Sequence, residues 1–171
     1  LVVALPTLPF GPGDRNLTPP SRMILDFVNC HAPAYLECRL NLIDVRDIAA
    51  GLIAAAERGR VGDRYILGNE NILLSDLLTV LSEVTGLPID RARRIPYSLA
   101  QAAAWLDETV ADLVTHRPPR APLTGVRLAG VPAVFDCAKA RRELALPQSP
   151  IHEALKDQLL WIDRKSTRLN S

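Results

Sequence analysis

The stretch LVVALPTLPFGPGD, Leu1 to Asp14, decides how the rest of the chain is read. Its first five residues are apolar and include the β-branched pair Val2 and Val3, which predicts a buried strand. Pro6, Pro9 and Pro12 with Gly11 and Gly13 then predict a rigid loop that runs on to Pro20. A strand that empties into a fixed loop is where an open α/β sheet offers backbone groups to a ligand, in the crevice beyond the carboxyl ends of its strands. The sequence starts inside that strand, so the expectation is that these residues are the later part of a longer protein.

The totals limit what such a protein can be. A chain of 171 residues with 48% hydrophobic and 23% charged residues has the composition of one ordinary globular domain with a real core. A formal net charge of +1 gives no general electrostatic reason to expect nucleic acid as a partner. Cys30, Cys38 and Cys137 are odd in number and show no C-x-x-C spacing, which argues against a zinc site or a disulfide framework and for a reducing cytoplasm. No run is apolar for long enough to predict a membrane span.

Further along, Ser21 is expected to cap a short helix from Arg22 to about Asn29, with Met23, Ile24 and Phe27 inward. Leu40 to Val45 reads as a strand, and Asp47 as the opening residue of a helix through Arg58 that is apolar almost all round. Gly59 and Gly62 stop that helix. Arg64 to Leu67 predicts a strand closed by the turn residues Gly68, Asn69 and Asn71. Ser75 to Thr85 has the cleanest helical spacing, with Leu77, Leu78, Leu81 and Val84 on one face and Gly86 beyond it. An edge strand at Arg91–Ile95, a helix from Tyr97 to about Val114, a rigid linker at His116–Pro122 and a short helix at Leu123–Ala129 follow. Val134–Asp136 reads as a short extended piece, Cys137–Leu144 as a helix capped by Asp136, and Ser149 with Pro150 opens a last helix to Ile162. Asp163 to Ser171, DRKSTRLNS, has no periodicity and is expected to be non-native sequence, which leaves 1–162 as one domain.

Taken in order, PTLPFGPGD, NLIDVRDIAAGL, GDRYILGNENILLSDLLTVLSEVTG and AKARRELAL resemble the C-terminal part of an extended short-chain dehydrogenase/reductase. The resemblance is to the NAD-dependent epimerase/dehydratase family, in its dihydroflavonol-reductase-like group, and within that to hopanoid-associated sugar epimerases. It covers Leu1 to Ile162. The fold it implies is α/β: the C-terminal part of a Rossmann-like doubly wound parallel sheet, truncated at the N-terminus, plus a mixed α/β substrate-binding lobe. It further implies NAD or NADP as cofactor, with contacts from Pro6, Thr7 and Leu8 at the nicotinamide end, and a small-molecule substrate. The intact protein would be a homodimer through helices outside this stretch.

Asp44-Val45-Arg46-Asp47-Ile48-Ala49 matches the family's H-V-x-D-V-A element with Asp44 in place of His. Members that act on UDP-sugars carry an Arg just ahead of it, where this chain has Leu40. Arg39 is one residue away, and a one-residue offset in a strand points it to the other face. Arg22 and Asn41 are therefore the candidate substrate-binding residues.

The family's acid/base chemistry needs Y-x-x-x-K, and its phosphate grip needs a glycine-rich turn into a helix. Tyr35, Tyr65 and Tyr97 are followed four residues on by Arg39, Asn69 and Gln101, and Gly11 with Gly13 lacks the third glycine. No catalytic residue and no metal ligand is assigned: His31, His116 and His152 show no ligand spacing. The expected function is thus a piece of an NAD(P)-dependent epimerase, reductase or dehydratase, incomplete by itself. The alternatives are a non-catalytic nucleotide-binding sensor or scaffold, and, weakest, an RNA-associated module using Arg91, Arg93, Arg94, Arg117 and Arg120.

Overall fold

The computed structural model describes residues 1–29, 34–88, 93–110, 130–131 and 133–169. Seven strands and six helices appear among them in the order β1 (Val3–Pro6), β2 (Leu8–Phe10), α1 (Pro19–Val28), β3 (Ala34–Leu36), β4 (Arg39–Asp44), α2 (Val45–Arg58), β5 (Arg64–Leu67), β6 (Glu70–Leu73), α3 (Leu74–Thr85), β7 (Arg93–Ile95), α4 (Tyr97–Val110), α5 (Ala138–Leu144) and α6 (Ile151–Leu169). β1 pairs in parallel with β5. A three-stranded sheet has the order β2-β4-β6, with β4 parallel to β2 and antiparallel to β6, and β3 pairs in parallel with β7. The mixed α/β architecture agrees with the expected class. The linker His116–Pro122 and the helix Leu123–Ala129 lie outside the described residues.

β4 is the strand on which both cores meet. Alternation sends Leu42 to one face, where it packs with Phe10, Ile24, Phe27, Leu77, Leu81 and Leu155 between α1, α3 and α6. Ile43 goes to the other, against Ile48, Ala54, Tyr65, Leu67 and Leu144 between α2, α5 and β5. A strand with apolar residues on successive positions and helices on both faces is the buried type found in α/β sheets.

Several local expectations are corrected. The opening strand is only half-buried to exposed, with Leu5 44% exposed, and among the described residues β1 is paired along one edge alone. The proline loop contains β2. As an edge strand, β2 tolerates Pro9, since alternate residues there turn their backbone groups away from the partner. Helix α1 starts at Pro19, and Ser21 is no cap: its hydroxyl donates to Asp14, which also accepts from the Thr18 N–H and hydroxyl. Asn71 belongs to β6 rather than to a turn, because pairing with Asn41 on β4 overrides its local preference.

Asp44, not Asp47, caps α2 by accepting the Arg46 N–H at 2.7 Å. Asp47, one turn in and 4% exposed, instead takes the Ser149 N–H at 2.7 Å and the Ser149 hydroxyl at 2.9 Å, which ties α2 to the start of α6. Val134–Asp136 has no regular structure, though Asp136 does accept the Ala138 N–H at 2.9 Å as α5 begins. Helix α6 continues past Ile162 to Leu169.

Candidate functional site

β1 and β5 run parallel and end together, Pro6 level with Leu67. Thr7 and Gly68 therefore stand side by side just past two carboxyl ends. The Thr7 N–H and hydroxyl both donate to the Leu67 carbonyl, at 3.0 and 3.3 Å, so the loop is pinned to β5 at that point. Gly68 is fixed by what surrounds it. A Cβ there would lie 2.1 Å from Asn41 Oδ1, 2.8 Å from Cys137 Sγ and 2.9 Å from Thr7 Cγ2. Only glycine lets these three side chains converge on the junction of β5 and β6.

Asn41 is 2% exposed, and neither its amide nitrogen nor its amide oxygen has a hydrogen-bond partner. Leaving a buried polar group unpaired costs on the order of 1–3 kcal/mol. No other buried side-chain polar atom among the described residues is in this position. Its cross-strand neighbour Asn71 is fully engaged: the side-chain amide donates to the Phe135 carbonyl at 2.9 Å and accepts the Phe135 N–H at 3.0 Å. That clamp lays residues 133–137 across the end of the sheet and brings Cys137 to Gly68. Burial pushes the Cys137 thiol up and outweighs the opposing Arg141 charge, so the group is a protonated thiol that packs rather than a nucleophile.

The predicted site residues are thus distributed unevenly. Thr7 and Asn41 meet at Gly68, on the same face of the sheet. Pro6 is exposed at the end of β1. Leu8 pairs with Leu42 and turns its side chain into the larger core, so it can offer a ligand only its backbone. Arg22 is exposed on α1, where its Nε donates to the Leu17 carbonyl at 2.8 Å, and no contact joins it to Thr7 or Asn41. Gly68 and Cys137 were not legible as site residues, since a glycine after a strand reads equally well as a turn.

A second feature lies on the same sheet face. Arg39 and Leu40 take opposite sides of β4, as alternation requires: Leu40 packs against the core, while Arg39 lines a cleft of about 520 Å3 with Leu73, Arg94 and Tyr97. At the other end of β4, the buried carboxylate of Asp44 closes the strand. Burial pushes it up, but the Arg46 guanidinium and backbone N–H outweigh that and hold it below the usual carboxylate range. Arg46 also reaches Asp157 on α6 at 2.9 Å. Among the described residues no group of His, Cys, Asp and Glu is placed to hold a metal ion, and no helix is long and apolar enough to cross a membrane.

No family model matches the sequence. A Synechocystis protein named for dihydroflavonol 4-reductase is 43% identical over 165 residues, spanning 94% of this chain and 48% of that protein. Among solved structures, a nucleoside-diphosphate-sugar epimerase from Pseudomonas aeruginosa superposes with a TM-score of 0.78 at 26% identity, over 96% of this chain and 48% of its own. A UDP-glucuronic acid 4-epimerase from Bacillus cereus, solved with UDP-glucuronic acid and NAD, gives 0.64 at 15% identity over 95% and 45%, a likeness of fold. The chain spans about half the length of the curated relatives it matches.

Proposed function

The chain belongs to the extended short-chain dehydrogenase/reductase family, in its dihydroflavonol-reductase-like group, and from that premise we infer that it is the C-terminal part of an NAD(P)-dependent epimerase or reductase. It supplies the nicotinamide-end loop and most of the substrate lobe. The observation that bears most on this is the junction at Thr7 and Gly68, which lies beyond the carboxyl ends of two parallel strands, where α/β sheets bind ligands.

The residues fit a nicotinamide. Pro6 is exposed and Thr7 half-buried, so the loop can lie along a flat ring while its backbone is held from behind by Leu67. When bound, the cofactor supplies the hydride. The chain's own part is to hold that ring at Thr7, to keep the junction closed with Gly68 and Cys137, and to present the sheet face of Asn41 and Arg39 to the substrate, a sugar or a related hydroxyl or carbonyl compound. The proton-transferring Tyr-x-x-x-Lys and the glycine-rich phosphate turn belong to the remainder of the protein. By itself this stretch is therefore inactive, and its setting is the cytoplasm.

The test is to express the complete coding sequence and titrate NADH and NADPH by cofactor fluorescence. Micromolar binding of either, weakened several-fold by Pro6→Gly, is the expected result. No binding of either dinucleotide by the complete, folded protein would refute the assignment and favour a scaffold role.

A further inference from the structure

We propose that the cleft between the β3–β4 link, the end of β6 and the β7–α4 link binds an oxyanion on the substrate, with Arg39 as its principal contact. This deepens the dinucleotide-enzyme reading and rests on it. The cavity, about 520 Å3, is of the size that takes a small organic ligand. Its two cations differ in how they are used. Arg94 is oriented by Glu37 at 3.7 Å, and Glu37 is itself spent on the Ser75 N–H at 3.1 Å. Arg39, exposed at the first position of β4, has no hydrogen bond or ion pair with the described residues.

The charge balance of the cleft is positive. Among the described residues two guanidiniums face one carboxylate, and no other lining residue is acidic. The Cys38 thiol adds no negative charge, because burial and the nearby Glu37 carboxylate push its pKa up. A guanidinium left unpaired in a concave, partly apolar site is matched to phosphate or carboxylate oxygens, which it grips bidentately.

Position along the strand relates the cleft to the Thr7 junction. Arg39 and Asn41 share a face of β4 and are separated by one strand repeat, roughly 6.6 Å. Asn41 stands beside Thr7 at the cofactor loop. The cleft thus lies on the sheet face that carries the Thr7 junction, one strand repeat away from it. Tyr97 forms one wall, backed by Gly130, where a Cβ would come within 2.6 Å of its ring. An aromatic wall suits the C–H face of a sugar.

The experiment uses the complete protein and three probes of one ring shape: glucose 6-phosphate, glucuronate and glucose, with binding followed by ligand-detected NMR. At least one anionic sugar should bind ten-fold or more tighter than glucose. The one preferred identifies a phosphate or a carboxylate as the recognised group. Arg39→Gln should abolish the preference while NADH affinity and the melting temperature stay unchanged. Arg39→Lys, which keeps the charge and loses the fork, should retain part of it, and this covers the case in which Arg39→Gln fails to fold. Equal binding of all three sugars, or a preference that survives Arg39→Gln, would overturn the proposal. Failure of the unmodified protein to bind NADH or NADPH counts against the dinucleotide reading alone, because the sugar comparison is scored separately.

Discussion

Gly68 shows how much one missing methyl group does here. Three side chains from β4, the Pro6–Leu8 loop and the start of α5 close on it, so Gly68→Ala must displace Asn41 Oδ1 or the Cys137 thiol. The expected cost is about 1–3 kcal/mol, read by denaturant melting of the complete protein, with a parallel loss of NADH affinity because Thr7 shares the contact. Asp44 makes the clearest pH prediction at this scale. Its carboxyl lies below its ordinary value of 3.8 in the folded protein. Its contribution is therefore fully present above that value and is lost as the pH falls through the lower folded value. Asp14, depressed by bonds from Ser21 and Thr18 that outweigh its burial, acts in the same direction. Asp44→Asn should lower stability at pH 7 and flatten the acid limb of a stability–pH profile measured between pH 2 and 7, roughly where carboxylates titrate. A variant whose acid limb matches the parent would show that Asp44 contributes nothing there.

At the scale of elements, the aspartates flanking Val45 and Arg46 have exchanged the roles that spacing alone suggests. Both sit where a helix begins and either could cap it by local geometry. The backbone at Asp44 is extended, with φ −68° and ψ 135°, which suits a cap, and Asp47 is already helical and free to look outward. What Asp47 meets there is Ser149, a residue 102 positions away. Asp47→Ala should consequently leave α2 intact by circular dichroism while loosening α6, at a cost of about 1–3 kcal/mol for the unpaired Ser149 groups. α3 was largely legible: of the four residues its spacing turns inward, Leu77, Leu78 and Leu81 are buried and Val84 is half-buried, and Gly86 ends it in the left-handed conformation at φ +70°. Leu81→Ala, at a site with no solvent exposure shared by α1 and α6, should cost about 2–5 kcal/mol in thermal or chemical melting. β6 was not legible, because Glu70 to Leu73 has no alternation of its own and becomes a strand only by pairing with β4.

At the scale of the molecule, the pairing of β1 matters most for how the chain behaves alone. Among the described residues β1 has a single neighbour, β5, and Leu5, Leu52 and Ile53 are 44%, 45% and 60% exposed on β1 and α2. An open parallel edge beside apolar side chains invites pairing with another chain. The 171 residues expressed alone should therefore elute in size-exclusion chromatography as aggregates or mixed oligomers, whereas a monodisperse monomer with a sharp, reversible melting transition would contradict this. The residues by themselves determined the α/β class, the amphipathic helices and the family blocks, because those depend on local periodicity and on turn residues whose conformations are restricted in any context. Only the tertiary structure decided that Leu8 is core while Arg39 faces a cleft, that Asp47 serves a distant serine, and that Asn41, Thr7 and Cys137 meet over Gly68. The physical reason is that a strand's two faces are equivalent until something packs on one of them. The LVVALP opening likewise reads as buried from its apolar side chains, and with one paired edge among the described residues it is left only half-buried.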